Sequence, residues 1–144
     1  MKLYYLDSSA LVKGYAKEKG SEKIRRILED ESILSTSPIS YPEVLSALAR
    51  KRINGDIKKR DFDKAINRFI KEFDALMLIS VDEIWKESGR AALRYALKGA
   101  DSIHLASVLQ AQDITGREAV FVVSDKELIR TAIKIGIEVF NPED

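Results

Sequence analysis

The sequence predicts an α/β protein in which a parallel sheet is covered by helices on both faces. Three observations carry that reading. Short apolar runs alternate along the chain with longer segments whose apolar residues recur at helical spacing. The short runs are apolar throughout rather than alternating, as expected of strands buried on both sides. Turn and cap residues stand at most of the junctions between the two kinds of segment. With 144 residues the chain reads as one domain, 1–144.

The elements follow in order. Residues 2–6 (KLYYL) read as a buried strand, and Asp7, Ser8 and Ser9 then offer caps for a helix through ALVKGYAKE. Residues 21–31 carry Ile24, Ile27 and Leu28 at helical spacing, and residues 33–35 read as a second strand. Residues 40–54 form a helix with a hydroxyl start, Pro42 in its first turn and Gly55 beyond its end. KRDFDKAINRFIKEF makes another, with Phe62, Ile66, Phe69, Ile70 and Phe73 on one face; that face reads equally as core packing or, in part, as a dimer or antitoxin contact. Residues 77–79 are a third strand, and Ser80 with Glu83 gives a capping-box pattern opening VDEIWKESGRAALRYAL. The next helix runs over residues 100–113, with Ile103, Leu105, Ala106 and Leu109 facing inward. AVFVV at 119–123 is the clearest strand, followed by the helix DKELIRTAIKIG and a last short strand, EVF.

Composition narrows the chemistry. The absence of cysteine excludes a disulfide framework, a thiolate zinc site and a catalytic thiol. The opening MKLYYLDSSALVKGY carries an acid after a short apolar run and does not read as a signal peptide. No apolar run reaches membrane-spanning length, and the lack of cysteine fits a reducing cytosol, so the expected location is cytoplasmic. Lys+Arg number 24 against 23 Asp+Glu, so any nucleic-acid contact must come from local patches. Two basic segments qualify: Arg50, Lys51, Arg52, Lys58, Lys59 and Arg60 around a turn, and Arg90, Arg94 and Lys98 along one helix. Each reads either as a solvated face or as a phosphate contact.

Four acids stand where an open parallel sheet binds ligands, beyond the carboxyl ends of its strands. Asp7 follows the first strand and Asp125 follows AVFVVS, while Glu43 and Asp101 sit in the first turns of their helices. Taken singly, each could be only a helix-start device. Together at one rim, their mutual repulsion would raise pKa values or demand a cation. Oxygen donors with no Cys and one His suit Mg²⁺ or Mn²⁺ rather than Zn²⁺ or Cu²⁺. Such an ion polarises phosphate oxygens and lowers the pKa of water, which is the machinery of phosphodiester hydrolysis. His104 lies roughly on the helix face of Asp101 and reads as a packed or supporting group rather than a ligand. Ser9 reads either as an ordinary cap or as a hydrogen-bond donor to a metal-bound water or to an acid beside Asp7.

At these residues the sequence resembles the PIN-domain ribonucleases, and more narrowly the VapC toxins of toxin–antitoxin pairs. YYLDSSALVKGYAKEKGS is similar to the family's opening and puts Asp7 at its first acid and Ser9 at the accompanying hydroxyl. SYPEVLSALARK resembles the second motif, with Glu43; LKGADSIHLASVL the third, with Asp101; and VVSDKELIRTAIKIGIEVFNPE the ending, with Asp125. The family often has Thr or Ser two residues before the fourth acid, where this chain has Val123, and Ser124 is the candidate replacement. The resemblance implies a three-layer sandwich on a five-stranded parallel sheet. It also implies metal-dependent endonucleolytic cleavage of RNA by water, with Asp7 and Asp101 as chief ligands of Mg²⁺ or Mn²⁺ and Glu43 and Asp125 completing the set. A homodimer and a small cognate antitoxin are the implied partners. On this reading Gly99 lets the backbone turn tightly so that Asp101 faces the metal.

Rival readings are an RNA-processing nuclease without an antitoxin and a non-catalytic interaction module of the same fold, which would be expected to have lost acids. An aspartyl-phosphate hydrolase would need a second Asp where Ser9 stands, and a Rossmann nucleotide binder would need glycines that Gly14 and Gly20 do not supply.

Overall fold

The computed structural model describes all 144 residues. The elements in chain order are β1 (Leu3–Leu6), α1 (Ser8–Val12), α2 (Ser21–Glu29), β2 (Ile33–Thr36), α3 (Ser40–Ile53), α4 (Lys59–Phe73), β3 (Met77–Leu78), α5 (Val81–Tyr95), α6 (Gly99–Thr115), β4 (Ala119–Val122), α7 (Lys126–Lys134) and β5 (Glu138–Phe140). The strands form one five-stranded parallel sheet in the order β3-β2-β1-β4-β5. In the centre Tyr5 pairs with Ser35 on one side and with Phe121 on the other.

This order locates the site. The chain steps outward from β1 to β2 and β3, then returns to the opposite side for β4 and β5. Crossovers of one hand therefore lie on opposite faces of the sheet. The cores agree: Leu6 and Val122 pack with residues of α1 to α4, such as Leu11, Ile24, Leu48 and Phe69. Leu3, Tyr5, Phe121 and Val123 pack instead with Leu105 and Val108 of α6 and Leu128 of α7. The strand order reverses between β1 and β4, and a crevice opens at the carboxyl ends of such a pair.

Several local expectations change. The first helix ends at Val12, because the next amides bond three residues back: Lys13 to Ala10, Gly14 to Leu11 and Tyr15 to Val12. Gly14 also packs so closely on α2 that a Cβ there would lie 2.7 Å from Leu28 Cδ1. The capping box does not form: Ser80 makes no side-chain cap, and Glu83 instead accepts from Gln110 Nε2 at 3.3 Å. Ser40 does not cap α3; its buried hydroxyl bonds Thr36 Oγ1 at 2.7 Å. Gly99 opens α6 without a positive φ and without close neighbours, so the tight turn expected there is not needed. Leu109 is 40% exposed rather than inward-facing, whereas Ser102, His104 and Ser107 are buried. Covered by α5 on one side and the sheet on the other, α6 hides polar positions that a one-sided helix would leave wet. On α4, Phe69 and Phe73 belong to the core and Phe62 and Ile66 pack against it, so Ile70, 41% exposed, is all that remains of the surplus face.

Candidate active site

Asp7 leaves β1 directly, and its amide donates to Val122 O at 3.3 Å, so the central pair of strands fixes it. Its Oδ1 accepts from Ala10 N at 2.9 Å and caps α1, while Ser9 Oγ lies 3.1 Å from both carboxylate oxygens. Asp125 caps α7 in the same manner, with Leu128 N donating to Oδ1 at 2.9 Å. For these two acids the capping expectation and the rim expectation both hold. Glu43 and Asp101 sit in first turns without capping them. All four line one cleft of about 480 Å³, together with Ser8, Ser9, His104, Lys98, Glu18, Arg50 and Lys51.

The electrostatics follow from crowding. Burial pushes the Asp7 carboxyl above its ordinary range, against the bonds from Ala10 and Ser9. The Asp101 carboxylate accepts no hydrogen bond within the chain; burial and then the charge of Asp125 raise it, with Lys98 opposing. Glu43 goes the other way: burial would raise it, but bonds from His104 and Ser8 outweigh that and hold it low. Within one cleft, bonds from internal donors thus lower Glu43, while burial raises Asp7 and Asp101.

His104 is 2% exposed. Its Nδ1 meets Tyr5 Oη at 2.9 Å, and its Nε2 lies 3.2 Å from Glu43 Oε1 and 3.2 Å from Ser8 Oγ. A carboxylate only accepts, so Nε2 carries the proton. In the neutral ring Nδ1 is then bare, and the Tyr5 hydroxyl donates to it; burial holds that phenol far above its usual range, so it keeps its proton. Ser8 Oγ also donates to Glu43 Oε1 and lies 3.3 Å from Ser40 Oγ, linking the acid to Thr36 and to the Leu6 carbonyl. His104 thus joins Tyr5 of β1 to Ser8 and Glu43 through its two ring nitrogens.

Tyr5, Ser8, Thr36 and Ser40 are not foreseen from sequence spacing. Ser8 reads as an ordinary cap, and Tyr5 as part of an apolar strand. Ser124 is not part of the cleft lining, and its buried hydroxyl makes no hydrogen bond to any of the four acids. Of the basic segments, Arg50, Lys51 and Lys98 border the acids, whereas Arg90 and Arg94 line a separate groove between α5 and α6.

The donor set of carboxylates and hydroxyls suits a hard divalent ion. No three of these groups are gathered as one ligand set in the present arrangement. Glu43 is turned through Oε1 onto Ser8 and His104, and Asp7 onto Ser9 and the α1 amide.

Comparisons with known proteins bear on this cleft. Residues 4–134 match the family model described as PIN domain. The chain is 32% identical over 114 residues to Ribonuclease VapC49 of Mycobacterium tuberculosis, covering 78% of this chain and 79% of that one. To Ribonuclease VapC46 of the same organism it is 30% identical over 144 residues, 99% of both chains. A chain in the crystal structure of FitAcB from Neisseria gonorrhoeae superposes with a TM-score of 0.64 at 15% identity, over 97% of this chain and 98% of that one; that likeness bears on the fold alone.

Proposed function

Because the chain belongs to the PIN-domain family, among its VapC-type ribonucleases, we propose that it is a divalent-metal-dependent endoribonuclease acting from the cleft of Asp7, Glu43, Asp101 and Asp125. The observation that carries the reading is the joint lining of one crevice by four carboxylates, two of them held above their ordinary range by burial and crowding. A cation bound among the four would offset the cost of gathering them.

Asp7 and Asp101 would hold the ion, with Glu43 and Asp125 completing its oxygen shell. Mg²⁺ or Mn²⁺, when bound, supplies positive charge against a phosphate oxygen and lowers the pKa of water. The chain's own residues do the rest. Ser9 orients Asp7, Ser8 and His104 fix Glu43, and Arg50, Lys51 and Lys98 meet the RNA phosphates. The same reading assigns a cytoplasmic toxin with a small cognate antitoxin and a homodimeric state. Large apolar side chains on α5 support an assembly surface: Trp85 is 57% and Leu93 88% exposed.

Asp101→Asn tests the proposal. Asn keeps the shape where the carboxylate accepts no hydrogen bond within the chain, so the fold should survive. RNA cleavage in Mg²⁺ or Mn²⁺ should vanish, and calorimetric metal titration should show weakened binding. Cleavage by the variant at the wild-type rate would refute the assignment.

A further inference from the structure

A second charged assembly stands on the wall of the same cleft. Lys13, in the turn after α1, is 6% exposed, and its ammonium lies 2.8 Å from Glu18 Oε1 and 3.2 Å from Glu143 Oε2. The other oxygen of Glu18 accepts from Lys51 Nζ on α3 at 2.8 Å. Glu18, Arg50 and Lys51 line the cleft beside the four acids; Lys13 stands behind them. Burial alone would pull the Lys13 pKa down, but its two carboxylate partners outweigh that and hold it above its ordinary value. Glu18 is lowered in turn by Lys13 and Lys51 against the pull of burial. Both groups stay charged in a place where an unpaired charge would be costly.

An ammonium has three donors. Glu18 takes one from Lys51, which leaves the others free at a cleft wall. A lysine fixed in advance loses less side-chain entropy when it meets an anion. Resting on the ribonuclease reading above, we propose that Lys51 binds an RNA phosphate beside the acids, and that Glu18, pinned from behind by buried Lys13, is the positioning residue that aims it. Simple charge counting gives the opposite sign. Glu18 is a negative group on the path of a polyanion, so its removal should tighten RNA binding if it has no positioning role.

The experiment measures KM and kcat for a short single-stranded RNA with Mn²⁺ in Glu18→Gln, Lys51→Met and the double variant. It adds RNA affinity across KCl concentrations without metal, and calorimetric Mn²⁺ titration. Each single variant should raise KM about tenfold with kcat nearly unchanged, the effect of removing one charge-assisted hydrogen bond to a phosphate. The double variant should be no worse than Lys51→Met, because Glu18 acts only through Lys51. Lys51→Met should flatten the salt slope by about 0.7, one phosphate neutralised on a single strand. Mn²⁺ binding should stay at wild-type strength, which separates this wall from the acids. Unchanged or lowered KM in Glu18→Gln, or effects that multiply in the double variant, would overturn the proposal while leaving the nuclease intact. If Glu18→Gln does not fold, Glu18→Asp keeps the charge beside Lys13 but is too short to span both lysines, and should raise KM in the same way. A wild-type protein that cleaves no RNA would overturn the ribonuclease reading and this one with it.

Discussion

Tyr5→Phe isolates one hydrogen bond of the network that holds Glu43. The ring stays, and with it the edge contacts to His104 at 5.9 Å and Phe121 at 5.7 Å, so core volume barely changes. What disappears is the donor to His104 Nδ1, in a place where both residues are buried. Leaving a buried acceptor without its partner costs about 1–3 kcal/mol. The phenol no longer has to be desolvated, so the net loss belongs in the lower part of that range, about 1–2 kcal/mol. For a chain of this length the melting temperature should fall by about 3–8 °C. The chain has a single histidine, so its ¹⁵N imidazole resonances report directly on the tautomer. Wild type should show the proton on Nε2, and the variant a mixture of tautomers. Because only the Nε2–H form can donate to Glu43, RNA cleavage should slow while metal still binds. An unchanged melting temperature together with an unchanged tautomer would refute this account of how Glu43 is held.

Two further outcomes follow. Asp7 is raised in the folded state by burial, so the stability linked to its proton is present below the unfolded Asp pKa and is lost as pH rises through the folded value. Asp7→Asn, whose side-chain oxygen can still accept from Ala10 N, should therefore unfold at higher temperature than wild type at neutral pH without metal, with the gap closing in acid or on adding Mg²⁺; a pH-independent gap in thermal denaturation would contradict this. Sedimentation at micromolar concentration should give a dimer, and Leu93→Asp on α5 should shift it to monomer while leaving the melting temperature of the isolated chain unchanged; a wild-type monomer, alone and with antitoxin, would remove the assembly claim.

Strands and acids were legible in the sequence because each rests on a local signal. AVFVV is apolar at every position, and β4 is buried at every position on both sides of the sheet. Asp7, Glu43, Asp101 and Asp125 each stand beside a strand end or a helix start, and the sheet order brings those places to one edge. The network around them was not legible, because its partners lie far apart in the chain and meet only once the layers close. Tyr5 reads as one more aromatic in a strand until His104 arrives against it from α6. Ser40 reads as a cap until Thr36 and Ser8 claim its hydroxyl. The capping box at Ser80 failed for a related reason: Gln110 of the neighbouring helix reaches Glu83, and the Ser80 side chain makes no cap bond. Helical spacing also carried the first helix too far, since spacing does not register the close approach of α2 to Gly14.

The acids hang from two separate cores. Glu43 rides on α3 in the layer of α1 to α4, and Asp101 rides on α6 in the layer of α5 to α7, with the sheet between them. His104 is the side chain that reaches across from the second layer to Ser8 and Glu43 of the first. Each interior can accumulate substitutions on its own, since the partner layer registers them only as a change in one gap. Selection for a faster or slower enzyme would then act on the width of that gap. Beneficial changes from laboratory evolution should gather at the helix mouths and strand ends that set it, leaving the two interiors free to diverge between lineages at their own pace.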